Sequence, residues 1–493
     1  MVAVDAAHGD NPAPRTLPVF QPGRGRVSSL VPAHISPRFA KRSGLAYLPP
    51  MKSPSANASR RPPPSGLPAR LVAADALDRI LRANLPLEEA LEAAAGLDPR
   101  DRALAYRIVA TALRRLGTLR AIFGMLLERG TPRSAPKVET ILLVGAAQIL
   151  FMDVPDHAAV GLSVEVARHD KSTGGFAGLI NAVLRRLTRE GQDLLAQVAP
   201  QLLDTPDWLR TRWTATYGAD ATRAICEALL NEPPLDLTVK ADPEGWAQTL
   251  GGTLTPTGTV RLANAGPIRA LPGFEEGAWW VQDAGAALPA RLLGDVRGRR
   301  VADLCAAPGG KTAQLAAAGA DVTAVDRSAD RLTRLKENLA RLGLAASVIQ
   351  ADATTFKAEP FHAILLDAPC SATGTLRRHP DVAWSKSPAD IGTLAALQSR
   401  LIDHAAELLA PGGVLVYSTC SLEPEEGEAQ IEALLARRPD MERAPIDKNE
   451  HPGLEKFITP QGDLRTLPSD WPAPRPELSG IDGFFAARLR KRG

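Results

Sequence analysis

Cysteine is scarce in this chain. Its 493 residues contain four, Cys226, Cys305, Cys370 and Cys420. None belongs to a C-x-x-C pair, which argues against zinc ligation, and no metal is expected. The first residues also lack the charged start, apolar core and cleavage site of a secretory signal. No uninterrupted apolar run is long enough to span a bilayer. A cytoplasmic location with reduced thiols is therefore expected, rather than a disulfide framework. Strong charge of one sign is missing too: 58 basic against 55 acidic residues leave +3, a slight pull toward an anionic partner. Residues 1–66 lack acids other than Asp5 and Asp10 and any sustained apolar period. Rich in Pro, Arg, Ser and Ala, they read as a disordered leader. A transit peptide is opposed by the many prolines, and a translation start at Met51 is a further account of this segment.

Beyond residue 66 the chain is patterned. Hydrophobic content of 45% and charged content of 23% suit large globular cores, and the length suits roughly three domains. From Leu67, apolar residues recur at helical spacing, as in Leu71, Ala74, Leu77, Leu81 and in Ile108, Ala112, Leu116, Leu119. Turn signals at Gly96, Gly130-Thr131-Pro132, Pro155 and Gly174-Gly175 divide this stretch into several helices. An all-α domain over 67–195 is predicted. Residues 196–298 mix a helix over Pro206 to Leu230 with a strand at Leu235 to Val239 and end in Trp279-Trp280-Val281-Gln282-Asp283. This is an α+β connector, its tryptophans better read as core than as base-stacking platforms.

From 299 to 493 short apolar strands alternate with helices. Val301–Leu304, Val322–Val325, Ser347–Ile349, Ala363–Leu366 and Val414–Tyr417 are the strand candidates, and the alternation predicts a parallel, doubly wound sheet. A last pair near Phe457 to Thr459 and Gly483 to Leu489 is expected to form an antiparallel edge. Ligands bind such sheets at the carboxyl ends of the strands. There the first strand runs into Cys305-Ala306-Ala307-Pro308-Gly309-Gly310-Lys311, a turn whose glycines let backbone amides approach a ligand at a helix start. It is neither the dinucleotide fingerprint nor a P-loop. The next three strands end in Asp326, Asp352 and Asp367. One of these acids alone reads as a helix cap, but the set outlines a site for a ribose- and adenine-bearing cofactor without a pyrophosphate, and S-adenosylmethionine fits. Cys370 and Cys420 stand at two strand ends facing that site. Pro424-Glu425-Glu426 is predicted to open a helix whose positive end favours a thiolate on Cys420. Cys305 belongs to the cofactor turn.

The runs Asp303 to Thr312, Asp367 to Thr375 and Ser418-Thr419-Cys420-Ser421 closely resemble the Fmu/Sun (RsmB-type) 16S rRNA cytosine-5 methyltransferases. Arg102 to Arg115 and Asn181 to Arg185 resemble the NusB-like RNA-binding domain fused to the bacterial enzymes. Val281-Gln282-Asp283 and Gly483-Phe484-Phe485 resemble the lead-in and closing strand of their catalytic domain. The resemblance covers nearly everything after residue 66. It implies a NusB-like bundle, a connector and a Rossmann-like catalytic domain using S-adenosylmethionine as methyl donor. Cys420 is implied as the nucleophile on cytosine carbon 6, Cys370 in resolving the adduct, Asp367 in holding the cytosine edge, and Lys311 in positioning Asp367. The implied partner is RNA, most of all small-subunit rRNA, met by a monomer away from membranes. The connector run Leu237-Thr238-Val239-Lys240 lacks the arginine expected of many relatives, which bears on RNA docking. Four clusters also offer a phosphate-tracking surface: Arg114-Arg115 with Arg120, Arg185-Arg186 with Arg189, Arg377-Arg378-His379, and Arg488 to Arg492. A tRNA substrate, or a silent methyltransferase domain in an RNA-binding or antitermination factor, are the alternatives. DNA methylation is disfavoured by the second strand-end cysteine.

Overall fold

The computed structural model describes residues 65–493 apart from Asn264 and Pro452. Residues 1–64 of the leader, with the proposed start at Met51, lie outside the described residues. No helix among them is long and apolar enough to cross a membrane.

The first part is a bundle of long helices, Leu67–Ala83, Pro99–Arg114, Leu116–Leu126, Lys137–Phe151, Asp156–His169 and Ala177–Leu195, with shorter pieces between. Local chemistry sets their starts. Asp98 accepts hydrogen bonds from the amides of Arg100 and Asp101, and Pro99 occupies the first turn, where no amide hydrogen is needed. Ile108, Ala112, Leu116 and Leu119 are fully buried, as their spacing predicts. In the first helix the buried stripe runs through Ala69, Ala73, Leu77 and Ile80, and Leu71 and Leu81 sit at its margins.

After a short helical turn, Pro200–Leu203, the connector has two helices, Asp207–Tyr217 and Ala219–Leu229. The predicted single helix breaks at Gly218, whose φ of 83° is a left-handed value that ends the first helix. A small antiparallel sheet comes next in the order β2-β3-β1-β4, with β1 Leu235–Val239, β2 Thr253–Leu254, β3 Val260–Leu262 and β4 Trp279–Val281. Trp279 and Trp280 are buried.

The last part is an eight-stranded sheet: β5 Arg300–Leu304, β6 Asp321–Asp326, β7 Ser347–Gln350, β8 Phe361–Asp367, β9 Leu409–Thr419, β10 Met441–Arg443, β11 Leu464–Arg465 and β12 Phe485–Lys491. The order is β10-β12-β9-β8-β5-β6-β7, with β11 also paired to β12. Strands β5 to β9 pair in parallel, and β12 pairs antiparallel to β9, β10 and β11. The expected antiparallel edge is thus different. Phe457 ends a 3-10 turn, Ile458 makes only an isolated bridge to Leu464, and β12 lies between β9 and β10. Alternating apolar residues Phe485, Ala487 and Leu489 bury one face of β12 in the core, which draws it inside the sheet. The chain runs outward from β5 to β7 and returns to β8 on the other side of β5, so a crevice opens at the carboxyl ends of β5 and β8.

The helical bundle is fastened to the loop after β8. The Arg114 guanidinium donates to the Arg377 carbonyl at 2.8 Å, Trp384 Nε1 to the Leu113 carbonyl at 2.9 Å, and the Leu87 amide to Asp381 Oδ2 at 3.1 Å.

Candidate active site

At the carboxyl end of β5 the turn Cys305 to Lys311 leads into the helix Gly310–Ala317. Cys305 has a φ of 63°, and burial pushes its thiol up to about 12, so it is inert and belongs to the turn. Gly309 precedes this helix and offers no side-chain cap, so its first amides have no side-chain partner. Asp303, fully buried beneath the turn, accepts from Thr312 Oγ1 at 2.6 Å, and burial raises its carboxyl to about 7.

The three strand-end acids take different positions. Asp326 is buried and accepts from the amides of Ala307 at 3.1 Å and Ser328 at 2.9 Å, tying β6 to the turn. Arg331 lies 3.6 Å from it and also donates to the Ala307 carbonyl. Strand β7 ends at Gln350, two residues before Asp352, which is exposed and caps its own turn through the Thr354 amide at 2.8 Å and hydroxyl at 2.7 Å. Asp352 is therefore the acid for which a turn-capping role accounts most fully. Asp367 accepts from Lys311 Nζ at 2.7 Å and Ser418 Oγ at 3.0 Å. Burial alone pulls the Lys311 ammonium down, but Asp367 outweighs it, with Cys420 and Asp303 adding to the pull, and its pKa stays above the ordinary value. Lys311 also lies 5.1 Å from the centre of the Phe484 ring.

The two thiols meet. Because β8 and β9 are parallel neighbours with Asp367 opposite Ser418, the residues just past their ends converge. Cys370 Sγ lies 3.4 Å from Cys420 Sγ. Cys370 is pushed well above the ordinary thiol range, first by its contact with the Cys420 sulfur, then by burial and by the charges of Cys420 and Glu426. The helix predicted to start at Pro424 is a three-residue 3-10 turn, Pro424–Glu426, and the longer helix runs over Glu428–Arg437. The nearby positive charge is therefore Lys311 rather than a helix end. The fourth thiol, Cys226, is buried in the connector among Leu209, Trp213 and Ile225, away from this pair.

Other groups escaped the sequence reading. Glu426 binds the residues after both thiols, and Arg212 of the helix Asp207–Tyr217 pairs with Glu423 and Glu425. The shared Cys-Ser pattern at 370–371 and 420–421 was the available signal for the first; nothing local signals the second. The basic clusters also separate. Arg377 is buried, and Arg378 is held by Asp283 and Asp482, so that cluster is an internal joint rather than a phosphate track. Arg114 is half-buried, and desolvation lowers its guanidinium to about 10. Arg185, Arg186 and Arg189 lie on the exposed side of their helix.

The family model described as 16S rRNA methyltransferase RsmB/F matches residues 290–490, and the NusB family model matches residues 67–189. Ribosomal RNA small subunit methyltransferase B of Cronobacter sakazakii is 36% identical over 86% of this chain and 98% of its own. That of Klebsiella pneumoniae is 37% identical over the same shares. The crystal structure of PH0851 has the same fold, with a TM-score of 0.68 at 22% identity over 87% of this chain and 99% of its own. The N-terminal bundle is thus a NusB domain and the parallel sheet a Rossmann-like methyltransferase domain. With its helical part, connector and paired strand-end thiols all inside the matched span, the chain belongs to the RsmB/F family of small-subunit ribosomal RNA methyltransferases.

Proposed function

We propose that this protein methylates carbon 5 of a cytosine in 16S rRNA through a transient bond between Cys420 and carbon 6. The observation that carries this reading is the 3.4 Å approach of two thiols beside the Lys311–Asp367 pair. S-adenosylmethionine would supply an electrophilic methyl group when bound. The residues present fit it: the uncapped amides at Gly310 and Lys311 suit a carboxylate, and buried Asp326 suits ribose hydroxyls, with Cys305 to Pro308, Asp352 and Asp367 around them.

Cytosine carbon 5 is too weak a nucleophile to react directly. The Cys420 thiolate adds to carbon 6, a C–S bond forms, and N3 of the ring takes a proton from water, which it returns when the methylated base is released. Asp367, held by Lys311 and Ser418, accepts hydrogen bonds from the cytosine edge and favours that protonated ring. Carbon 5, now an enamine carbon, gains the methyl group. Loss of its hydrogen as a proton re-forms the 5,6 double bond and expels the Cys420 sulfur. Cys370, which keeps its own proton beside the Cys420 sulfur, is the group placed to assist this last stage. The NusB domain presents the exposed Arg185, Arg186 and Arg189 to RNA. On this reading the domains run over 67–195, 196–298 and 299–493, and the monomer acts in the cytoplasm.

The test is a denaturing gel of full-length protein with small-subunit rRNA and S-adenosylmethionine. Cys370→Ala is expected to retain a covalent protein–RNA band, and replacing Cys420 as well should abolish it. A band from Cys420→Ala alone would swap the two roles. No band and no methyl transfer from any form would favour tRNA or a silent RNA-binding factor.

A further inference from the structure

The buried carboxylate of Glu426 has no part in the bond-making and bond-breaking assigned to Cys420, Cys370 and Asp367. It is 0% exposed and sits at the end of the 3-10 turn Pro424–Glu426. One oxygen accepts from the Ser371 amide at 2.9 Å and Gln398 Nε2 at 3.1 Å. The other accepts from Ser421 Oγ at 2.6 Å and from the Ser371 hydroxyl. Ser371 is the residue after Cys370, and Ser421 the residue after Cys420. Gln398 Nε2 also donates to the Pro369 carbonyl at 2.9 Å, just ahead of Cys370. The knot extends outward, because the Glu426 carbonyl accepts from Tyr417 OH at 2.7 Å and Ser421 Oγ accepts from the Glu423 amide at 3.0 Å.

All donors to this carboxylate among the described residues are neutral. A buried charge without a cation is expensive, and a core of neutral groups would fill the same space more cheaply. Its placement between the two thiol loops gives it a use. We propose that Glu426 is a positioning residue for both thiols: its side chain ties the residues that follow Cys370 and Cys420 and holds the two loops in register while Cys420 attacks. The inference rests on the assignment of Cys420 as nucleophile. The Glu426 charge is among the causes that hold the Cys370 proton, after the Cys420 contact and burial. Gln398 Oε1, buried without a partner, is available to accept an amide hydrogen from a glutamine at position 426.

The test uses full-length Glu426→Gln, of nearly the same size, without RNA. Brief alkylation with iodoacetamide is followed by mass spectrometry of each cysteine. In the wild type Cys420 should be labelled well ahead of Cys370. In Glu426→Gln the Cys370 to Cys420 ratio should rise about tenfold, the equivalent of one pKa unit of thiolate. Methyl transfer should fall about 100-fold in kcat with KM for S-adenosylmethionine little changed, and Glu426→Asp, which restores the charge, should recover the labelling preference. An unchanged ratio in Glu426→Gln overturns the proposal while leaving Cys420 as nucleophile. Preferential labelling of Cys370 in the wild type overturns the nucleophile assignment itself. If Glu426→Gln does not fold, Ser371→Ala/Ser421→Ala cuts the two hydroxyl ties and leaves the carboxyl group, the Ser371 amide and Gln398 in place. It should lose kcat while Cys420 stays the preferred thiol, and an undiminished kcat overturns the proposal.

Discussion

Replacing Gly374 by alanine would insert one methyl group where three backbone segments meet. The Gly374 amide donates to the Cys420 carbonyl at 2.9 Å, and the Gly483 amide donates to the Gly374 carbonyl at 2.8 Å. A Cβ at 374 would stand 2.0 Å from the Gly483 oxygen and 2.9 Å from the Cys420 oxygen. Ordinary contact begins near 3.4 Å, so the Gly483 carbonyl must retreat by about 1.4 Å, and it is backbone that cannot rotate away. Overpacking of this kind costs roughly 1–3 kcal/mol, or about 2–12 °C in the melting temperature of a domain this size. Activity should suffer more than stability, because the Cys420 carbonyl at 2.9 Å must also give by about 0.5 Å, and Cys420 carries the nucleophile. A displacement of about 1 Å in a reacting group lowers rate by about 100-fold. Methyl transfer to small-subunit rRNA and calorimetric melting are measured on the same preparation. Gly392→Ala is the control. It lies in the exposed interior of the helix Pro388–Leu408 with nothing within 4 Å, and should gain about 0.5–1 kcal/mol with activity unchanged. A Gly374→Ala protein with wild-type activity would refute the reasoning.

Two more outcomes are expected from buried carboxyls. Asp303 holds its proton up to about 7 in the fold, against an ordinary value of 3.8. Between about pH 4 and 7 the folded state therefore binds more protons than the unfolded one, and stability falls as pH rises through that window. Asp303→Asn removes this loss, so its melting temperature minus that of the wild type, both without cofactor, should climb from pH 4 to 7; a flat difference contradicts the assignment. Arg212→Ala strips Glu423, which is fully buried, of its cation and leaves only Trp213 Nε1 at 3.0 Å. Denaturant unfolding should show a loss of about 3–5 kcal/mol, and a loss below about 1 kcal/mol would mean the pair is effectively solvated.

Much of this molecule is readable as a string because its determinants are local. Alternation of strand and helix from Arg300 onward is a matter of hydrophobic period and cap residues, and the helix Ala329–Leu342 falls where its spacing and Ser328 cap place it. The glycine turn, Asp367 and both Cys-Ser pairs are contiguous motifs. The β12 arrangement was harder to read, because strand partners are chosen by the packing of distant faces. That packing placed Phe485, Ala487 and Leu489 beside β9 rather than in an edge pair with residues 457–459.

Charge pattern misleads for the same reason. Arg377-Arg378 looks like a phosphate clamp in one dimension, yet Asp283 and Asp482, about 100 residues away on either side, convert it into an internal joint. The chain alone specified which chemistry is present: thiols, a cofactor turn, strand-end acids. Only the folded sheet decided their working relations. Setting β8 parallel beside β9 brought sulfurs fifty residues apart to 3.4 Å and buried Glu426 between the thiol loops, and pairing β8 with β5 on its other side carried Lys311 across to Asp367. Hydrogen bonds and Coulomb forces act over a few ångströms of space, and separation along a sequence does not encode that distance.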